Sequence, residues 1–334
     1  METQNRVRHW LWALSLVALG ACVPDKPPPQ ERILQADTIG LVQVWTKTPE
    51  PGYFIGPVGV TDKLALVTLE RGFEGLLVAY TLATGDAVWE APLSLREIGA
   101  ISVDVSPGIV VITGIYGVTA YSTETGALLW RTQLGEGHVP VLTQLENDRA
   151  RVYYGETLFE VALDDGRVEK SEALGSLVWR SSDVDLLRSL PNRTLGIERS
   201  TGKKLWERAA YTPTLSDNRP PQTLDSSDVI IPLEYRVCLL QLRTGEDKWC
   251  VRGVYMSNVE LDSDKTEVYV LTEAFQLLQI NALTGNIDGQ AAFEPARLPG
   301  TGEHEEFLNF VGATGSHILI GFGDSNQLAC LRRQ

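Results

Sequence analysis

Cysteine, methionine and histidine are scarce: 4, 2 and 4 residues in a chain of 334. The cysteines, Cys22, Cys238, Cys250 and Cys330, include no adjacent pair and no Cys-x-x-Cys. The histidines, His9, His138, His304 and His317, are scattered and form no His-Glu-x-x-His. A zinc site with ordinary ligand spacing is therefore not expected. A Gly-x-Ser-x-Gly elbow and a glycine-rich phosphate loop opening a helix are also missing, which leaves hydrolase and nucleotide chemistry without a carrier. "DSDKTE" from Asp262 lacks the central glycine and closing acid of a calcium loop and reads as an exposed turn. Basic residues are in deficit: 29 Lys and Arg against 43 Asp and Glu, a formal charge of −14. Binding to nucleic acid needs clustered cations at phosphates, so no nucleic-acid partner is expected. Outside the N-terminus no apolar run approaches the ~20 residues of a membrane-spanning helix.

The one sustained apolar run comes at the start. Arg6, Arg8 and His9 precede Trp10 to Ala21, and the run stops at Cys22. A basic start, about a dozen apolar residues and small residues before a cleavage point are the layout of a secretory signal. The stretch is too short to span a bilayer, and Pro24, Pro27, Pro28 and Pro29 would break a continuing helix. Leu19, Gly20, Ala21 and Cys22 resemble the bacterial lipobox, a signal-peptidase motif. That resemblance implies cleavage before Cys22, diacylation of its thiol and acylation of the new N-terminus, for instance with palmitate. Several acyl chains, at about 0.8 kcal/mol per buried methylene, hold a soluble domain to a membrane. Val23, rather than Asp, after the cysteine implies sorting to the outer membrane, on its periplasmic side. The expected division is a signal peptide over 1–21, a lipidated, proline-rich tether over 22–37, and a folded domain over 38–334. Cleavage removes Glu2, Arg6 and Arg8 and moves the formal charge to −15.

A repeat organises the rest. "AYTLATGDAVWEAPL" from Ala79, "AYSTETGALLWRTQL" from Ala120 and four weaker copies share a turn glycine. These glycines are Gly85, Gly126, Gly166, Gly202, Gly245 and Gly285, spaced 41, 40, 36, 43 and 40 residues apart. Four copies carry Trp four residues after the glycine: Trp89, Trp130, Trp206 and Trp249. Lys170 and Gly289 stand at that place in the other two, where the blade contacts should be packed differently. Each copy reads as strand, Thr-Gly turn and strand, preceded by two more apolar strands. Four strands in ~40 residues is one propeller blade. The chain ends in two strands, "HILIGFGDSNQLACLRRQ" from His317, and the missing outer strand is "LVQVWTK" from Leu41, with Trp45 in the repeat's tryptophan place. Pairing the N-terminal strand with the C-terminal blade closes the ring and removes its free edge. The expectation is an all-β chain, a single propeller of seven four-stranded blades, with eight as the alternative. The tryptophans are read as structural plates between blades, each removing roughly 150–250 Å² from water.

The Thr-Gly-x-x-x-Trp pattern resembles the pyrroloquinoline-quinone-type propeller repeat. Among its members, a lipoprotein with a short tether and one propeller resembles the propeller subunit of the outer-membrane β-barrel assembly machinery. That subunit has eight blades, and its partner contacts have no match in these residues. The resemblance implies a non-enzymatic, membrane-anchored scaffold that binds proteins in the periplasm, without a cofactor or metal. Two alternatives stay open: an envelope module binding a ligand or polysaccharide, and a quinoprotein dehydrogenase relative. The dehydrogenases carry a vicinal cysteine pair that this sequence lacks. Cys238 and Cys250 flank one turn at equal distance. They could form a cross-strand disulfide in an oxidising compartment, or, after a one-residue slip of register, lie apart as small buried thiols. Cys330 has no evident partner. Loops should alternate between two faces of the ring. The long connections put Tyr53 and Phe54, and Tyr211 and Arg219, on one of them, the expected partner face.

Overall fold

In the computed structural model the strands follow the repeat. The structure describes residues 34–37 and 39–334, except 95–96, 98–101, 115, 136–139, 147, 155–156, 174–176, 190–192, 210–220, 234–235, 253–255, 273–275, 294–309 and 323–325. No helix occurs among the described residues. Seven antiparallel sheets form the ring, so the eight-bladed alternative falls away. Blades one to six occupy residues 54–93, 102–133, 140–173, 177–209, 222–252 and 256–293. Blade seven joins the chain ends: Phe310–Ala313, His317–Phe322 and Gln327–Arg333 form three strands, and Leu41–Lys47 is the fourth. Leu41 lies opposite Arg333 and Trp45 opposite Cys330.

The pattern of each strand follows its depth in the blade. Second strands are covered on both faces by neighbouring blades and read as unbroken apolar runs; Ile109–Gly114 is buried throughout. Outer strands are wet on one side and alternate, as Leu128–Gln133 does around buried Trp130. The core is therefore not central but divided among the seams. One cluster joins Leu66, Leu77 and Ala79 of blade one to Val103, Val110, Ile112 and Tyr121 of blade two. At ~25 cal/mol per Å² of apolar surface, these seams are the main stabilising term of the ring.

Blade six has a fifth strand. Leu34–Asp37, within the segment read as tether, pairs with the outer strand Ile287–Phe293. The reason is Gly289, one of the two places without a tryptophan. A Cβ there would meet Ile39 Cγ1 at 2.7 Å and Ile39 Cα at 3.2 Å. The missing side chain lets the incoming chain cross the blade's edge before turning into blade seven, and Ile39 packs against the core shared by blades six and seven.

Candidate interaction faces

The ring has two faces, set apart by their loops. One carries the Thr-Gly turns. Each turn glycine has φ between +69° and +74°, and its N–H donates to the carbonyl four residues back. Only glycine takes that backbone angle at little cost. It is also needed for space: a Cβ on Gly85, Gly126, Gly166 or Gly285 would lie 2.5–2.8 Å from Trp45, Trp89, Trp130 or Trp249 of the preceding blade, and one on Gly245 would run into Trp206. The same indoles donate from Nε1 to a carbonyl next to that turn: Trp45 to Leu82, Trp89 to Thr123, Trp130 to Leu163, Trp206 to Leu242 and Trp249 to Ala282, at 2.7–3.0 Å. Each tryptophan thus both fills the seam and satisfies its one donor, as a buried indole must.

Two seams are built otherwise. Between blades six and seven Ile39 lies against Gly289. Between blades three and four, Lys170 is exposed and pairs with Glu172 at 2.9 Å. Glu172 also takes Arg180 Nη1 of blade four at 3.1 Å, and Arg180 holds Asp185 with two bonds of 2.8 and 2.7 Å. The Arg180 side chain is only 2% exposed. Burial pulls against its charge, but the Asp185 and Glu172 carboxylates outweigh that and keep it a cation. Gly202, the turn glycine of this seam, consequently has nothing within 4 Å of a Cβ.

The opposite face carries the connections between blades and the loops joining second to third strands. Tyr53 and Phe54 stand there at the entry to blade one. Asn326 of blade seven clamps them: its Nδ2 donates to the Tyr53 carbonyl, and its Oδ1 accepts from Ile55 N at 3.0 Å. Asn326 itself takes φ +50°, which asparagine tolerates better than most residues. Tyr211 and Arg219, the other pair read as partner face, lie outside the described residues, as do Leu19, Gly20, Ala21 and Cys22.

Cys238 lies directly opposite Cys250 in blade five, with Cα atoms 4.2 Å apart and the sulfurs bonded. Asp247 joins them as a group of three potential metal ligands, but both thiols are spent in the bridge. Cys330 is buried and free, and burial pushes its thiol up to about 12, so it is no nucleophile.

Two carboxyls that the sequence reading passed over line the axis of the ring. Asp104 is on the innermost strand of blade two, Ser102–Ser106, and Glu260 on that of blade six, Met256–Leu261. Both are half-buried. Burial raises Asp104 to about 7, against the 2.7 Å bond from Ser102 Oγ. Burial raises Glu260 to about 8, and the Asp104 charge adds to it, while Gln222 Nε2, donating at 3.1 Å, opposes it. An alternating strand shows which face a carboxylate takes but not that two blades aim theirs at one axis.

Fold and seams together define the class: a seven-bladed β-propeller. Residues 42–183 match the family model described as outer membrane protein assembly factor BamB. The crystal structure of BamB from Moraxella catarrhalis superposes with a TM-score of 0.54 at 11% identity, covering 87% of this chain and 99% of that one. The WD40 domain of Pan2 from Neurospora crassa superposes at 0.61 and 12% identity, covering 90% and 97%. At such identities the structural likeness speaks for the fold. No curated protein matches the sequence. The family model over residues 42–183 carries the resemblance to BamB, while the fold is shared with propellers of other kinds and here has seven blades.

Proposed function

We propose that this chain is a non-enzymatic lipoprotein scaffold, anchored through Cys22 to the periplasmic side of the outer membrane, that holds protein partners in outer-membrane protein assembly. The observation that carries the reading is the match of residues 42–183 to the BamB family model. The lipobox-like Leu19-Gly20-Ala21-Cys22 supports the anchor. Leu34 pairs with Phe293, at the end of the blade-six outer strand that leads into the connection to blade seven. The tether therefore joins the ring on the face of the long connections. Leu34 lies twelve positions after Cys22, a reach of at most about 43 Å. An anchored ring would thus present its long loops near the membrane, where a membrane-embedded partner can meet them.

The test is affinity purification of the tagged full chain from detergent-solubilised envelopes. Co-purification of the barrel-assembly channel is expected. Its repeated absence, with a glycan retained instead, would replace the scaffold by a polysaccharide-binding module.

A further inference from the structure

Exposed apolar side chains are sorted by type between the two ends of the blades. Among the described residues the aliphatic ones are Val88, Leu128, Leu129, Val168 and Ile287, at the starts of outer strands beside the Thr-Gly turns, and Leu283, within such a turn. They are spread around the rim, as isolated surface residues usually are. The large exposed aromatics among the described residues are Phe54, Phe73 and Tyr116. All three lie at the opposite end, in blades one and two. Phe73 sits at the tip of the tight hairpin between Leu64–Arg71 and Glu74–Thr81 and is 84% exposed; Phe54, at the start of the neighbouring strand, is 60% exposed. Tyr116 is in the corresponding hairpin of blade two.

This corner is braced. Arg71 lies 4.5 Å over the Tyr53 ring and pairs with Glu74 at 2.7 Å, and its Cδ lies against Gly52. Asn326 pins the backbone on both sides of Phe54. A rigid aromatic surface loses little entropy when it is covered. Its charges are one-sided: Glu50, Glu70 opposite Phe54, and Glu74 are three carboxylates against Arg71, which pairs with Glu74.

We infer that the Tyr53, Phe54 and Phe73 corner is a docking surface for a protein partner that offers an apolar pocket rimmed by lysine or arginine. This rests on the scaffold reading and names the surface and chemistry it would use. Charge complementarity selects the occupant. The carboxylates oppose an anionic lipid leaflet. In a two-fold pair of this chain they would face each other, at a cost of like charges. A basic rim meets them, and the acidic net charge of the whole chain steers such a partner inward.

The test uses the full chain in intact cells, with a benzophenone amino acid at Phe73 and, as control, at Val88 on the other end. Adducts are expected from Phe73 alone, to a protein whose cross-linked segment is apolar and flanked by Lys or Arg. Binding of that purified protein should fall at least tenfold with F54S/F73S, and with F73S in part, while thermal unfolding followed by tryptophan fluorescence stays unchanged. Adducts to lipid or to a second copy of this chain, no adduct, or equal affinity for wild type and F54S/F73S would each overturn the proposal. If the barrel-assembly channel co-purifies equally with F54S/F73S and wild type, this corner is not its dock and the scaffold reading stands.

Discussion

Gly202 and Gly245 hold nearly the same backbone angle, φ +69° and +70°, in the same turn of successive blades. They differ only in what lies over them: nothing within 4 Å at Gly202, the buried Trp206 ring at Gly245. Alanine at either site incurs the left-handed penalty, about 1–2 kcal/mol. At Gly245 it must also displace an indole and strain its bond to Leu242, and overpacking adds about 1–3 kcal/mol. G202A should therefore lower the stability by about 1–2 kcal/mol and G245A by roughly twice that, read from urea unfolding followed by tryptophan fluorescence. Equal losses would mean that the glycines are there for the turn alone. The contrast is legible one repeat upstream, since Lys170 in the tryptophan place already announces an open glycine in the next blade.

Single strands decide whether the ring closes. Leu41–Lys47 supplies blade seven with its outer edge and puts Trp45, 8% exposed, into the seam with blade one. Leu34–Asp37 only adds to an already complete blade six. A chain beginning at residue 38 should unfold cooperatively with a modest loss of stability. One beginning at residue 49 should lose cooperativity, because blade seven keeps three strands and the seam to blade one loses its indole. A peptide of residues 38–48 should restore it, and calorimetry of the three species distinguishes these outcomes; indifference to the loss of 41–47 would refute closure by this strand. The closing strand could be found in the sequence because Trp45 obeys the repeat. The strand Leu34–Asp37 could not: it has four residues, no counterpart in other blades, and follows a proline-rich stretch. Its trace was the bare Gly289, which reads in isolation as a weak repeat. The same holds at the candidate site. Tyr53 and Phe54 drew notice through a long connection, whereas Phe73 and Tyr116 sit in hairpin loops too short to stand out, and exposure of an aromatic is not a sequence pattern.

The axis of the ring belongs to no single blade, and its electrostatics are a property of closure. Asp104 from blade two and Glu260 from blade six repel each other across it, each raised by burial above its ordinary range, to about 7 and about 8. In the unfolded chain both would ionise near 4. Between those values the folded ring binds more protons than the unfolded chain, so stability falls as pH rises. The contribution of these two groups is fully present below about pH 4 and is lost as pH climbs through 7 and 8, by at most about 1.4 kcal/mol per pH unit for each proton. E260Q keeps an acceptor for Gln222 Nε2 and removes both the titration and the repulsion. The variant should unfold later than wild type at pH 9, match it more closely at pH 5, and show a shallower slope between. D104N/E260Q should be flatter still. The measurement is chemical denaturation at fixed ionic strength from pH 5 to 9. Parallel curves for wild type and E260Q would show that Glu260 stays ionised in the folded ring, held by water in the channel.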